Sequence, residues 1–209
     1  MNEPVGLRER KKARTRTAIS EAAITLFLAR GYDNVSVAEI AATAEVSKRT
    51  LFAYFPTKDD LVLHRFADHE NEPAEVVRDR RPDESPIAAL LRHRRAGLAD
   101  RDPITGLCDH PQVVEFYRLV ISTPALNAAL VGYVGRGETT LAAALHDAAP
   151  DSGPLAARLA AVQISAVQRT LSAAVQTRIM AGSTADELAD DAFAETGAEH
   201  AARDRGLQS

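Results

Sequence analysis

Apolar residues recur at helical spacing along nearly the whole chain, and nowhere do they alternate with period two over the length of a strand. Ile19, Ala22, Ala23, Leu26 and Phe27 form the first stripe, on a helix that begins near Arg8. Gly31 closes it, at the position where a left-handed residue ends a helix. Ser36-Val37-Ala38-Glu39 reads as a capping box, in which the serine hydroxyl accepts the Glu39 N–H and the glutamate reaches back. The helix it opens carries Val37, Ile40, Ala41 and Ala44 on one side. Glu45-Val46 makes a break, and Ser47 caps a third short helix that runs through Phe55. Pro56-Thr57 stops that helix, and Thr57 caps a fourth over about residues 58–71.

Two short helices across a tight break, braced by a longer first helix, predict a three-helix unit with a helix-turn-helix over residues 36–55. Val46 is expected to point from the turn into a core shared with Ile40, Leu51 and Phe27, and Phe52 and Phe55 are assigned to the same core. Helices this short do not persist alone, so the unit depends on that core.

Residues 1–7 hold Pro4 and Gly6 and are expected outside the fold. Residues 72–86, with Pro73, Pro82 and Pro86 among mixed charges, read as a connection. Ser85-Pro86 and Thr123-Pro124 each place a capping hydroxyl before a proline at the first helical position. They open helices at about 86–100 and 124–147, with another at about 111–121 between them. A long helix follows from residues 151–154 through Met180, Gly182 closes it, and the Thr184-x-x-Glu187 box opens a last one to about residue 203. The prediction is an all-α protein of about nine helices, with a DNA-binding domain over 8–57 and a larger helical regulatory and dimerisation domain over 58–205.

Charge sharpens this picture. The net charge of −4 argues against a nucleic-acid partner, but its distribution argues for one. Residues 1–58 hold ten Lys/Arg and six Asp/Glu, a balance of +4, and the remainder, with 15 and 23, is −8. A basic end on an acidic body meets phosphates with one face and repels them elsewhere. The apolar stretch 22–29 is too short to span a bilayer, which takes about 20 residues. With no signal-peptide pattern at the start, the expected location is cytoplasmic. The single cysteine, Cys108, belongs to no Cys/His metal spacing, and no metal or cofactor is expected.

The run 17–23, then Leu26-Phe27, Arg30-Gly31-Tyr32, 35–41 and 44–61 (AEVSKRTLFAYFPTKDDL) resembles the TetR family of bacterial repressors. The resemblance covers about a quarter of the chain; beyond it, only the all-helical architecture agrees. It implies a homodimer on a palindromic double-stranded DNA operator, released when a small-molecule effector enters the C-terminal domain. It also implies that the last two long helices, about 154–181 and 185–203, pair across the dimer. The sequence departs from the family pattern twice. Glu45 stands where the turn usually has glycine, at a strain cost if that residue is left-handed. Arg49 stands where the recognition helix often has glycine, so family-typical base contacts do not transfer there.

A recognition helix meets base edges with its N-terminal residues, which makes Lys48, Arg49 and Thr50 the base readers. Arginine offers a bidentate fork to guanine. Thr43, Ser47, Tyr54 and Lys58 are candidate phosphate contacts, although Tyr54 reads equally well as a half-buried structural aromatic. The basic cluster of residues 8–16 is either a solvated helix face or an arm along the phosphate backbone, and the arm is slightly favoured.

In the C-terminal body, Leu155, Leu159, Val162, Ala166, Val167, Leu171, Ala174, Val175 and Ile179 wrap well over half of one long helix. A helix apolar on that much of its circumference is buried on more than one side, and a subunit interface takes up the surplus. His93, Phe116, Tyr117, Tyr133, Gln163 and Gln168 lie on helices that the resemblance expects around the effector. With aromatics at 5% and no tryptophan, an aliphatic, modestly polar ligand suits the composition.

Two other functions compete with this one. An enzyme needs a site, and Cys108-Asp109-His110 sits in a Pro/Gly-flanked loop without a third partner, while His64 and His69 fall on different helix faces. Neither a nucleophile elbow, a phosphate loop nor a dinucleotide fingerprint is present. A ligand-independent architectural DNA binder would have little use for so long a helical body.

Overall fold

The computed structural model describes residues 6–67 and 69–206, and within them ten α-helices and no strand. They are α1 Leu7–Arg30, α2 Val37–Thr43, α3 Lys48–Tyr54, α4 Asp60–Ala67, α5 Glu72–Arg78, α6 Pro86–Ala99, α7 Pro111–Ser122, α8 Pro124–Ala148, α9 Gly153–Met180 and α10 Ala185–Gly206. The all-α expectation holds, with one helix more than the nine predicted. The extra one is α5, inside the stretch read as a connection. Pro73 lies in its first turn, where the missing N–H has no helical partner to lose, so the proline that suggested a break is instead compatible with a start. The predicted fourth helix is likewise shorter: Thr57 Oγ1 accepts the Asp60 N–H at 3.2 Å, and α4 begins at Asp60 rather than Lys58. The expectation for residues 1–5 lies outside the described residues.

The chain divides into two compact units. The first comprises residues up to Arg65 together with 115–130. Its core joins Ile19, Ala23 and Phe27 of α1 to Ile40, Leu51, Phe55, Leu61, Val62 and Leu63, all essentially sealed from solvent. Ser20 donates a buried hydrogen bond to the Leu61 carbonyl at 2.7 Å, which ties α1 to α4.

The second unit takes residues 66–114 and 131–209. One of its apolar clusters packs Ala74 and Val77 of α5 and Leu90 of α6 against Leu141, Ala144, Ala157, Ala161 and Ile164. Another gathers Leu98, Leu107, Val175, Ile179, Leu188 and Ala192. Arg94, buried on α6, donates to Ser172 Oγ at 3.1 Å and Thr196 Oγ1 at 3.3 Å, and so links α6 to α9 and α10. The Thr184–Glu187 box forms as predicted, with Glu187 Oε2 accepting the Thr184 N–H at 2.8 Å and Thr184 Oγ1 the Glu187 N–H at 3.3 Å. Asp109 adds to it: its carboxylate accepts the Ala185 N–H at 2.9 Å, giving the Cys108-Asp109-His110 loop a structural task at the start of α10.

Candidate nucleic-acid interface

The local chemistry of the helix-turn-helix is dominated by its caps. Ser36 and Glu39 satisfy one another as the sequence predicts, with Glu39 Oε2 accepting the Ser36 N–H at 2.8 Å and Ser36 Oγ the Glu39 N–H at 3.3 Å. Arg30 at the end of α1 pairs with the other carboxylate oxygen at 2.8 Å. The Ser36 backbone and hydroxyl donors, followed by Arg30, hold the Glu39 carboxyl down at about 2. This ties the end of α1 to the start of α2.

Between α2 and α3 the chain turns at Glu45, whose φ of 53° is left-handed. The helix ends there because Glu45 and Val46 return their N–H groups to Ala42 and Ala41 carbonyls, at 3.1 and 2.9 Å. Val46 is only half-buried, whereas Ile40, Leu51 and Phe27 are fully buried as expected.

Ser47 then caps α3, accepting the Thr50 N–H at 3.0 Å and sharing a 2.8 Å bond with the Thr50 hydroxyl. Of the seven residues of α3 only Leu51 is buried. Phe52, assigned to the core from sequence, is 47% exposed, which corrects that assignment. It stands about 100° around the helix from Leu51, and a seven-residue helix with a single buried position cannot hide both. Phe55, one residue beyond the helix, does enter the core.

Lys48 and Arg49 occupy the exposed first turn of α3, and no ion pair engages either among the described residues. Thr50 is half-buried beside them. Thr43 and Ser47 are exposed, and Tyr54 is half-buried at the end of α3. Lys58 is held differently. Its ammonium donates to the Tyr32 carbonyl at 2.6 Å and lies 4.1 Å from the Tyr32 ring centroid and 5.3 Å from that of Phe27. The Tyr32 hydroxyl in turn donates to Asp59. Burial, reinforced by that carboxylate, pushes the phenol well above its ordinary range. Lys58 stands out in the sequence only as a candidate phosphate contact; its pairing with Tyr32, and that of Tyr32 with Asp59, join positions 26 and 27 apart that local spacing does not connect.

The basic residues 8–16 belong to α1 itself, so they form a helical surface rather than an extended arm. The six candidates for effector binding fall in both units. Phe116 and Tyr117 are edge to face in the first unit, 6.0 Å between centroids, with the Arg65 guanidinium 5.5 Å from the Phe116 ring. In the second, His93 Nε2 lies 3.2 Å from Glu72 and the Arg136 guanidinium 4.3 Å from the Tyr133 ring. Gln163 is exposed and Gln168 half-buried on α9.

A feature the sequence reading missed is the pairing of Glu72 with two imidazoles. Its second oxygen lies 2.7 Å from His69 Nδ1, while the first faces His93. The His69 and His93 bonds hold the Glu72 carboxyl down at about 2, and the Glu72 bond raises His93. The i, i+3 spacing of His69 and Glu72 is visible in the sequence; His93 arrives only through the packing of α5 on α6.

Comparison with known proteins agrees with this architecture. Residues 19–64 match the model for bacterial regulatory proteins of the tetR family. The HTH-type transcriptional regulator TcmR of Streptomyces glaucescens is 34% identical over 134 residues, 64% of this chain and 58% of TcmR, so the chain spans little more than half of that relative. Among solved structures, native NalD, the secondary repressor of the MexAB-OprM multidrug efflux pump in Pseudomonas aeruginosa, superposes with a TM-score of 0.56 at 17% identity, covering 88% of this chain and 95% of NalD. A TetR-family regulator from Streptomyces coelicolor A3 gives 0.54 at 19% identity over 95% and 98%. At such identities the structural likeness establishes the fold alone.

Proposed function

We propose that this chain, whose residues 19–64 match the model for bacterial regulatory proteins of the tetR family, is a ligand-responsive transcriptional repressor that binds a palindromic operator as a homodimer. The observation that carries this reading is the capped recognition helix α3 with Lys48 and Arg49 exposed in its first turn and in no ion pair among the described residues. Side chains in that position reach base edges in the major groove, and the +4 balance of residues 1–58 supplies the long-range attraction to phosphates. Lys48, Arg49 and Thr50 read bases; Thr43, Ser47, Tyr54 and Lys58 lie where phosphate contacts position the helix.

The DNA-binding domain in this reading is 8–57 and the regulatory and dimerisation domain 58–205. Support for the dimer comes from α9, where Leu155 is 70%, Leu159 56% and Val162 41% exposed on a helix whose opposite side is already packed. Leaving three large aliphatic side chains in water costs about 1.5 kcal/mol or more apiece relative to burial. The partner's α9 and α10, over about 154–181 and 185–203, cover them; the side chains beyond 197 lie outside the described residues. The effector enters the C-terminal domain and lowers DNA affinity, with His93, Phe116, Tyr117, Tyr133, Gln163 and Gln168 as its candidate neighbours. No described helix is long and apolar enough to cross a membrane, and a DNA partner places the protein in the cytoplasm.

In vitro selection from a random duplex library is the test. A two-fold symmetric consensus bound by a dimer is the expected result. Enrichment of no sequence, or of a site without symmetry, would reject the reading. Thermal stabilisation by a small-molecule library, followed by release of the selected operator, tests the effector arm; stabilisation without release would leave a regulator whose ligand does not control DNA.

A further inference from the structure

The exposed face of α3 is not uniformly cationic. Its solvent-facing residues are Lys48, Arg49, Phe52 and Ala53, and only Leu51 is buried. At about 100° per residue, Phe52 projects between Lys48 and Arg49, one turn further along the helix. Phe52 is 47% exposed, and no aromatic or cationic partner engages its ring among the described residues.

Two cations therefore flank a phenylalanine on a helix that carries no carboxylate. An apolar protein surface that covered the ring would bury both cations beside it, and burying a charge without a partner is costly. What this mixture fits is a polyanion with an apolar group set among its polar ones. The major groove of DNA is such a surface, because each thymine places a 5-methyl group among the hydrogen-bonding edges of the bases. Phenylalanine is one of the side chains that can cover that methyl. Along the axis Phe52 lies about 4.5 Å from Arg49, against about 3.4 Å between successive base pairs. The thymine within its reach is thus one or two steps from the pair read by Arg49.

We propose that Phe52 is a specificity-determining residue that reads the 5-methyl group of a thymine beside the base pair read by Arg49. The inference rests on the operator-binding reading and adds an apolar contact to its two cations. Arg49 selects guanine and Phe52 selects thymine, so each half-site holds a T·A pair next to a G·C pair. The ring that stays in water in the free protein is covered on the operator, together with the methyl that it covers.

The experiment takes the operator selected from the random library and replaces its thymines by deoxyuridine, one position at a time and symmetrically in both half-sites. That substitution removes the methyl and leaves every hydrogen-bonding group in place. Affinities of the full chain and of the Phe52→Ala variant are measured by fluorescence anisotropy at one salt concentration. At one thymine position the full chain is expected to lose about 15-fold, from about fourfold per buried methyl in each half-site. Phe52→Ala loses nothing further there, and Phe52→Leu, which keeps an apolar side chain, retains part of the effect. A full chain indifferent to every deoxyuridine overturns the assignment, by a measurement that needs no variant, and leaves the operator reading intact. A thymine sensitivity that Phe52→Ala keeps also overturns it. So does an equal loss for Phe52→Ala on operator and scrambled duplex, which places the ring on the sugar–phosphate backbone. Failure of the full chain to bind any duplex overturns both readings.

Discussion

The Lys58 ammonium is clamped on Tyr32, donating to its carbonyl at 2.6 Å and lying over its ring. A residue singled out as a phosphate contact thus also fastens the segment before α4 to the end of α1. Lys58→Ala removes a charged hydrogen bond and a cation–π contact together. The expected loss is about 1–3 kcal/mol in urea denaturation, several times what a solvated surface lysine would give.

Arg49 stands exposed in the first turn of α3. Arg49→Ala should erase about 1–3 kcal/mol of discrimination at one base pair of each half-site, leaving affinity for scrambled DNA little changed. Equal losses on operator and scrambled duplex would remove its base-reading role.

Glu45 adopts φ 53° in the turn, where a side chain costs roughly 1–2 kcal/mol. Glu45→Gly is expected to raise stability by about 1 kcal/mol once glycine's greater unfolded freedom is set against that relief. Glu45→Ala keeps the β-carbon and should show no such gain. Thermal unfolding of the two variants side by side decides it.

Gly106 has φ 84°, and a β-carbon there would lie 2.2 Å from the Ser172 carbonyl oxygen on α9. Gly106→Ala therefore meets both a left-handed penalty and a backbone clash. A loss of about 3 kcal/mol is expected, read as a lowered thermal midpoint.

The pairing of Glu72 with His69 and His93 predicts a pH window. The Glu72 carboxyl is lowered from 4.5 to about 2, so its contribution is complete above 4.5 and is lost as pH falls toward 2. His93 is raised above 6.5, so its contribution is complete below 6.5 and is lost as pH rises through the raised value. The gap in thermal midpoint between the native chain and Glu72→Gln should be widest between about pH 4.5 and 6.5 and narrow on either side. A gap independent of pH would mean that Glu72 acts through packing instead.

Caps and periodicity made the helix-turn-helix legible. The Ser36 box, the Ser47 cap and the Thr184 box are interactions over three residues, and each forms where the sequence spells it. Phe52 and α5 were misread for a related reason. Whether an apolar residue is covered, or a proline stops a helix, depends on what lies across from it. Neither neighbour is written locally. The effector candidates were legible only as residue types on helices, since convergence on a ligand is a property of packing.

The residues alone determined the all-helical class, the caps, the turn at 45–46 and the basic end, because these follow from spacing within a few positions and from charge. Only the tertiary structure decided that Lys58 is clasped by Tyr32, that Glu72 joins His69 to His93, and that Phe52 stays in water. Those relationships join positions that chain spacing leaves far apart, or depend on a surface that another element does or does not cover.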